Sequence, residues 1–161
     1  MGLEVADDAL LAKLNKRMTT ESFRRAATFL VENGIAVRGF IMLKPPYVVD
    51  EAGGADLARR SIDFAFDCGA SVVAVIPARG GPAELGRLAE EGLFSPPTLS
   101  TFESVLEYGV GLKRGRVFGD LWDLDRITSC SHCAVARQSR LGRINLSQTV
   151  PLKILCEDCP Y

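Results

Sequence analysis

Five apolar positions, Phe23, Ala26, Ala27, Leu30 and Val31, recur at the three-and-four spacing that lines one face of a helix. Thr19 or Thr20 supplies a capping oxygen, Glu21 sits favourably in the first turn, and Gly34 takes the usual place of a helix terminator. The spacing predicts a helix running through Asn33. The pattern then changes: Ile35 to Leu43 (IAVRGFIML) is mostly apolar without helical period, as in a buried parallel strand, and Lys44-Pro45-Pro46 stops it.

A second helix is predicted from Glu51 to Cys68, weakened early by Gly53-Gly54, with Leu57, Ala58, Ile62, Ala65 and Phe66 inward and Gly69 as terminator. Cys68 reads as a core residue of this helix. Ser71 to Ala78 (SVVAVIPA) is the next apolar strand. Arg79-Gly80-Gly81-Pro82 then leads into a helix ending near Gly92, with Pro82 at the first helical position. Ser95-Pro96-Pro97 opens a helix carrying Leu99, Phe102, Leu106 and Tyr108, and Arg116 to Leu121 makes a last strand. Gly2-Leu3-Glu4-Val5 reads as the tail of a strand with nothing in front of it to grow from.

This succession of βα units predicts an α/β fold, a parallel sheet with helices outside it. About four strands are too few to close an eight-stranded barrel. The expectation is either a small open sheet or a partial (half) TIM-type barrel over residues 1–125, followed by a small carboxyl-terminal module over residues 126–161.

Composition narrows this little. At 161 residues and 47% hydrophobic content the chain has enough apolar side chains for a packed core. The formal net charge of -1 gives no global pull on an acidic partner. No run approaches the roughly 18 apolar residues of a membrane span, and the amino terminus lacks a basic start and apolar run, so a cytoplasmic protein without a membrane partner is expected.

Cys130-Ser-His-Cys133 and Cys156-Glu-Asp-Cys159 change the picture. Each CxxC pair sets two sulfurs on one tight turn, and two such turns brought together form the S4 cage of a structural zinc site. An iron-sulfur cluster is the alternative occupant. Cys68 would be left over from a disulfide framework, so a reducing compartment fits better. His132 lies inside the first turn, either as a substitute ligand or second donor, or as a solvent-facing residue. Arg126, Arg137, Arg140, Arg143 and Lys153 crowd this module, with no acidic residue from Ser129 to Leu155. They form either a phosphate-binding surface or a solvated helix face.

In parallel βα folds the residues just past the strand carboxyl ends line the active face, which nominates Glu4, Lys44, Arg79 and Asp120. Arg38, within an apolar strand, either points into a central polar cavity or pairs with a buried carboxylate such as Glu4. Arg79-Gly80-Gly81 before a helix offers backbone N–H groups to an anion, or is a plain turn. No catalytic residue is assigned, since the only histidine is His132, inside the first CxxC turn, and no Ser/His/Asp set can be argued from it.

Gly2-Leu3-Glu4, then Leu14-Asn15-Lys16-Arg17-Met18-Thr19 leading to a helix, Ile35 to Leu43 with Lys44-Pro45-Pro46, and Val75-Ile76-Pro77 resemble the second half of a radical S-adenosylmethionine enzyme barrel, strand four onward. The branch is the one containing the elongator-type catalytic subunit and the tRNA methylthiotransferases, and it includes proteins resembling the radical-SAM subunit of archaeosine synthase, which modifies guanine-derived bases in tRNA. The resemblance covers Gly2 to Asp125, with the cysteines as an appendage. It implies Glu4 and Arg38 near the methionine or ribose of S-adenosylmethionine, and the strand ends at Leu43-Lys44 and Ile76-Pro77 near adenine or substrate, so Glu4, Arg38, Lys44 and Arg79 are the expected cofactor-binding residues. These enzymes carry a [4Fe–4S] cluster on a CxxxCxxC loop that this chain lacks.

Three functions follow. One is the carboxyl-terminal half of a radical enzyme acting on tRNA or a related nucleobase, inactive until an amino-terminal half-barrel partner, or self-association, completes it. Another is an RNA-binding module in which the βα scaffold presents a basic zinc knuckle. The third is a self-contained phosphate-binding enzyme using Arg79-Gly80-Gly81.

Overall fold

The computed structural model describes residues 1–81 and 84–159. Four strands, β1 (Gly2–Glu4), β2 (Arg38–Leu43), β3 (Val72–Pro77) and β4 (Arg116–Gly119), form one sheet in sequential order, and every neighbouring pair is parallel. Among the described residues six α-helices separate and follow them: α1 (Asp8–Lys13), α2 (Thr20–Glu32), α3 (Glu51–Asp67), α4 (Glu84–Glu90), α5 (Leu99–Gly111) and α6 (Ala134–Ser147). The predicted α/β class with parallel strands is the observed one.

Alternation along the strands decides where the core sits. Gly39, Ile41 and Leu43 of β2, Val73 and Val75 of β3, and Val117 and Gly119 of β4 are buried beneath the helix layer. There they meet Phe23 and Ala27 of α2, Ile62 and Ala65 of α3, and Phe102 and Leu106 of α5. Their alternates, Arg38, Phe40, Met42, Val72, Ala74, Ile76, Arg116 and Phe118, line the other face and stay half-buried or exposed. Leu141 and Ile144 of α6 join the same core, so the segment after residue 126 packs against the βα layer through side chains it shares with it.

Local chemistry explains the element ends. Thr19 caps α2 by accepting from the Ser22 N–H at 3.1 Å, and the Ser22 hydroxyl reciprocates toward Thr19 N–H at 2.9 Å. Gly34 (φ 75°) lets the chain leave that helix in the left-handed conformation. The exit consumes residues 34–37, so β2 starts at Arg38 and not at Ile35, which is 51% exposed. Helix α1 was not legible, because six residues are too few to show a period; Asp7 caps it by accepting from Leu10 N–H at 2.9 Å. The strand predicted to Leu121 ends at Gly119. The expected role of Pro82 lies outside the described residues.

Gly119 is required by packing: a Cβ there would lie 2.5 Å from Leu106 Cδ1 and 2.6 Å from Phe102 Cζ. Gly119→Ala should therefore destabilise the fold by about 1–3 kcal/mol through overpacking, read as a lower urea midpoint with an unchanged slope.

Candidate functional site

The carboxyl ends of the strands open onto a cavity of about 590 Å³. Met42, Ile76 and Pro77 floor it from β2 and β3, while Lys16, Trp122 and Arg126 border it. Arg79 leaves the end of β3 with its side chain 10% exposed. Its guanidinium donates to Asp120 Oδ2 at 2.8 Å and to the Asp120 carbonyl at 2.9 Å, which links the loops after β3 and β4. The Trp122 indole, 71% exposed, lies with its ring 5.6 Å from the Arg79 guanidinium carbon. Arg126 donates to the Gly80 carbonyl at 2.6 Å and pairs with Asp123. The Arg79 Nε is buried without a hydrogen-bond partner among the described residues. An apolar floor and a flat exposed aromatic ring, with three cations each paired to a carboxylate (Arg79 to Asp120, Lys16 to Glu4, Arg126 to Asp123), suit a planar heterocycle with hydrogen-bonding groups at its edge.

Not every nominated residue reaches this cavity. Arg79 and Asp120 meet there. Glu4 ends β1 and pairs with Lys16 Nζ at 3.0 Å, placing that ammonium at the rim. Lys44 ends β2 but turns away: it is 3% exposed, and its ammonium donates to Glu51 Oε1 (2.5 Å), Ser95 Oγ (2.9 Å) and the Pro96 carbonyl (3.3 Å), which uses all three N–H bonds. Arg38 starts β2, at the opposite end of the sheet; it is exposed and lies over the Phe118 ring at 5.9 Å. Neither alternative for Arg38 is met: it does not line the cavity, and the Glu4–Arg38 pair is not made, because parallel pairing puts the two residues at opposite ends of their strands. Both Glu4 (φ 65°) and Lys44 (φ 52°) adopt the left-handed conformation, costing roughly 1 kcal/mol each, as the chain turns off the strand ends. Trp122, Lys16 and Arg126 were not nominated as cavity residues; the position of Trp122 just past the last strand was the available signal.

The four cysteines do converge. Their sulfurs all lie within 4.8 Å of one another, with Cys130 to Cys156 at 3.8 Å and Cys133 to Cys159 at 3.3 Å. A single ion bound at ~2.3 Å in a tetrahedron needs sulfur–sulfur edges of ~3.8 Å, so the cage fits one metal ion. Backbone N–H groups of Cys133 and His132 point at the Cys130 sulfur and, with neighbouring thiols, lower its pKa to about 7. Cys159, whose proton is held chiefly by Cys133, is pushed up to about 12. His132 is not a ligand: its Nδ1 contacts the Asp158 carboxylate in the exposed turn of the other pair, tying the two knuckles.

The structure corrects the basic cluster at two of its positions, while Arg126, Arg143 and Lys153 are exposed. Arg137 and Arg140 are 5% and 0% exposed, so they are neither a solvated helix face nor a phosphate-binding surface. Arg137 donates to Glu103 Oε2 at 2.7 Å and Ser100 Oγ at 2.9 Å, and Arg140 donates to Glu107 Oε1 at 2.8 Å. Arg140 also grips the carbonyls of Pro151 (2.7 Å) and Leu152 (2.9 Å) on the segment that returns toward Cys156.

No family model matches the chain, and no curated protein matches it. Among solved structures, the fold is similar to that of the archaeal Methanocaldococcus infernus Elp3 with an amino-terminal deletion. The TM-score is 0.66 at 17% sequence identity, over 90% of this chain and 35% of the archaeal one. The chain thus spans about a third of that neighbour. No helix of the described residues is long and apolar enough to cross a membrane.

Two predictions follow from these geometries. Titration with Co²⁺ should give the intense thiolate-to-metal absorption of a tetrahedral S4 site, with proton release and with affinity rising with pH; Cys156→Ser should abolish that spectrum. The second concerns Glu51, where burial pushes the carboxyl up but is outweighed by Lys44, Thr101 and Thr98 donors, which hold it below its usual value. A depressed folded pKa contributes stability above the unfolded value that disappears as pH falls through the folded one. Glu51→Gln should destabilise the neutral protein and flatten the acid side of the stability–pH curve, measured by urea midpoints.

Proposed function

We propose that this chain is the carboxyl-terminal portion of a radical S-adenosylmethionine enzyme, and that its strand-end cavity holds part of that cofactor or a nucleobase substrate. The carrying observation is the apolar cavity with Trp122, Arg79, Lys16 and Arg126 at its rim, in a fold like that of Elp3. Reductive cleavage of S-adenosylmethionine would be supplied by a [4Fe–4S] cluster on a CxxxCxxC loop, which residues 1–161 do not carry. The contribution of this half is binding. Arg79, fixed by Asp120, sets one edge of a slot whose flat wall is the Trp122 indole, and the exposed Lys16 and Arg126, although paired with Glu4 and Asp123, offer further N–H donors at the rim. A base in tRNA, of the archaeosine type or a related one, is the substrate class this reading favours.

Zinc is the proposed occupant of the cysteine cage. One ion accounts for sulfur spacings near 3.8 Å, whereas a [4Fe–4S] cluster attaches each cysteine to a different iron and holds the sulfurs farther apart. None of the four cysteines lines the cavity, and a cage of four thiolates keeps no open coordination position, so its role is structural. A basic zinc knuckle docking on RNA is not favoured, since Arg137 and Arg140 are spent on internal carboxylates.

Trp122 is the only tryptophan, so its emission reports on the cavity alone. S-adenosylmethionine, or a purine nucleotide as substrate mimic, should quench it in a saturable way, and Arg79→Ala should weaken the apparent affinity roughly 10-fold, the loss of one charge-assisted contact. Emission indifferent to both ligands would remove the cavity from the proposal. With a CxxxCxxC-bearing amino-terminal half supplied, anaerobic reconstitution should yield a brown protein that forms 5′-deoxyadenosine.

A further inference from the structure

Strand β4 ends the sheet, and its outer edge is already occupied. Asn145 donates from Nδ2 to the Gly119 carbonyl at 2.9 Å and accepts on Oδ1 from the Gly119 N–H at 2.8 Å. One turn later Gln148 accepts on Oε1 from the Val117 N–H at 2.7 Å and donates from Nε2 to the Val117 carbonyl at 3.0 Å. Each side-chain amide takes the place of a peptide group in the strand that would come next. Two residues of strand advance ~6.6 Å and three residues of helix only ~4.5 Å, and the extra methylene of glutamine spans the difference. This is a covered edge of the kind that stops sheets from pairing further.

The opposite edge has no such cover among the described residues. Met1 directs its amino group to the Arg38 carbonyl (2.6 Å) and its own carbonyl to the Phe40 N–H (2.9 Å), both on β2. Strand alternation then turns the N–H and carbonyl of Gly2 outward. The sheet face away from the helices is also uncovered: Phe40 is 36% exposed, and Met42, Ala74, Ile76 and Phe118 are half-buried.

We propose that this sheet takes a further parallel βα unit at β1 alone, and that Asn145 and Gln148 are the stop that forbids addition at β4. The occupant is a strand from a segment outside residues 1–161, running parallel to β1 with its helix on the α3 side. Sequential, all-parallel order means that the same right-handed step continues the sheet past β1 only with a preceding unit. The similarity to the archaeal Elp3 covers 35% of that chain, so most of the neighbour's length lies outside the matched part. The bare face carries exposed Arg38 and Arg116 at the amino ends of β2 and β4. A second copy laid on it would set like charges together, whereas apolar side chains with a carboxylate at that end complement it. The identity of the occupant rests on the half-barrel reading above; the choice of edge rests on the hydrogen bonds.

Amide hydrogen exchange on the wild-type chain tests the edges with no partner present. Val117 and Gly119 should exchange slowly and Gly2 at close to the unprotected rate; rapid exchange at Val117 and Gly119 overturns the stop. Replacing Asn145 and Gln148 together by leucine should speed both β4 amides by ~10-fold or more, since a bonded amide must open before it exchanges. The occupant is tested with chimeras that join a segment of the archaeal Elp3 from outside the matched part either to Met1 or, as a control, after residue 161. Protection of Gly2 gained in the first chimera alone supports addition at β1; protection in neither or in both overturns it. A wild-type dimer in sedimentation that Gly2→Pro abolishes would assign the edge to a second copy and also overturn the chosen occupant. None of these readouts uses the Trp122 titration, so failure here and failure of the functional reading are separable.

Discussion

A parallel sheet has two faces and two edges to shield from water, and the described residues shield one of each. Backbone N–H and C=O groups left at an edge need partners, and apolar side chains on a bare face need cover. Helices α2, α3 and α5 cover one face with Phe23, Ile62, Phe102 and Leu106, and α6 covers the β4 edge with two amides. The uncovered face and the β1 edge adjoin the strand ends that hold the cavity. The uncovered part of the sheet and the candidate cavity therefore lie on the same side.

Helix α6 connects three different interactions along its length. Cys133 stands at its start as one wall of the sulfur cage; Arg137 and Arg140 in its middle bind Glu103 and Glu107 of α5; Asn145 and Gln148 at and just past its end close β4. The buried charges add little net stability, because desolvation offsets most of their attraction. Their value is geometric. A guanidinium that must satisfy Glu107 and two carbonyls at once has one acceptable position, and that position places Pro151 and Leu152 for the return to Cys156. Leu152 is 92% exposed, so apolar packing does not hold this segment.

Much of this was legible in the sequence, and the exceptions have physical causes. Strands β2 and β3 and helices α2, α3 and α5 announced themselves because hydrophobic period and caps agree, as in Thr19 through Gly34. The cysteine cage was legible because CxxC spacing constrains sulfur geometry whatever surrounds it. Arg137 and Arg140 were misread because spacing on a helix fixes a common side but not whether that side faces water. The missing information was on another helix: Glu103 and Glu107 lie one turn apart in the otherwise apolar face of α5, ready to meet two arginines. Lys44 was read as a cavity residue from its place after a strand, but its left-handed backbone swings the side chain beneath α3, close against Gly54.

The same logic bears on what the metal does. An ion in the cage would exchange S–H protons for four metal–sulfur bonds and would fix Cys133, the residue from which α6 starts. A helix anchored at its first residue loses less additional freedom when its far end engages β4, so cage and edge stop reinforce each other through one rigid element. His132 and Asp158 add a contact between the two knuckles outside the cage, in water, where an ion pair contributes little energy. The ordering of α6 thus depends on the sulfur cage and on Arg140 far more than on that exposed pair. Helix α6 thus joins the sulfur cage at its start to the covered edge of β4 at its end.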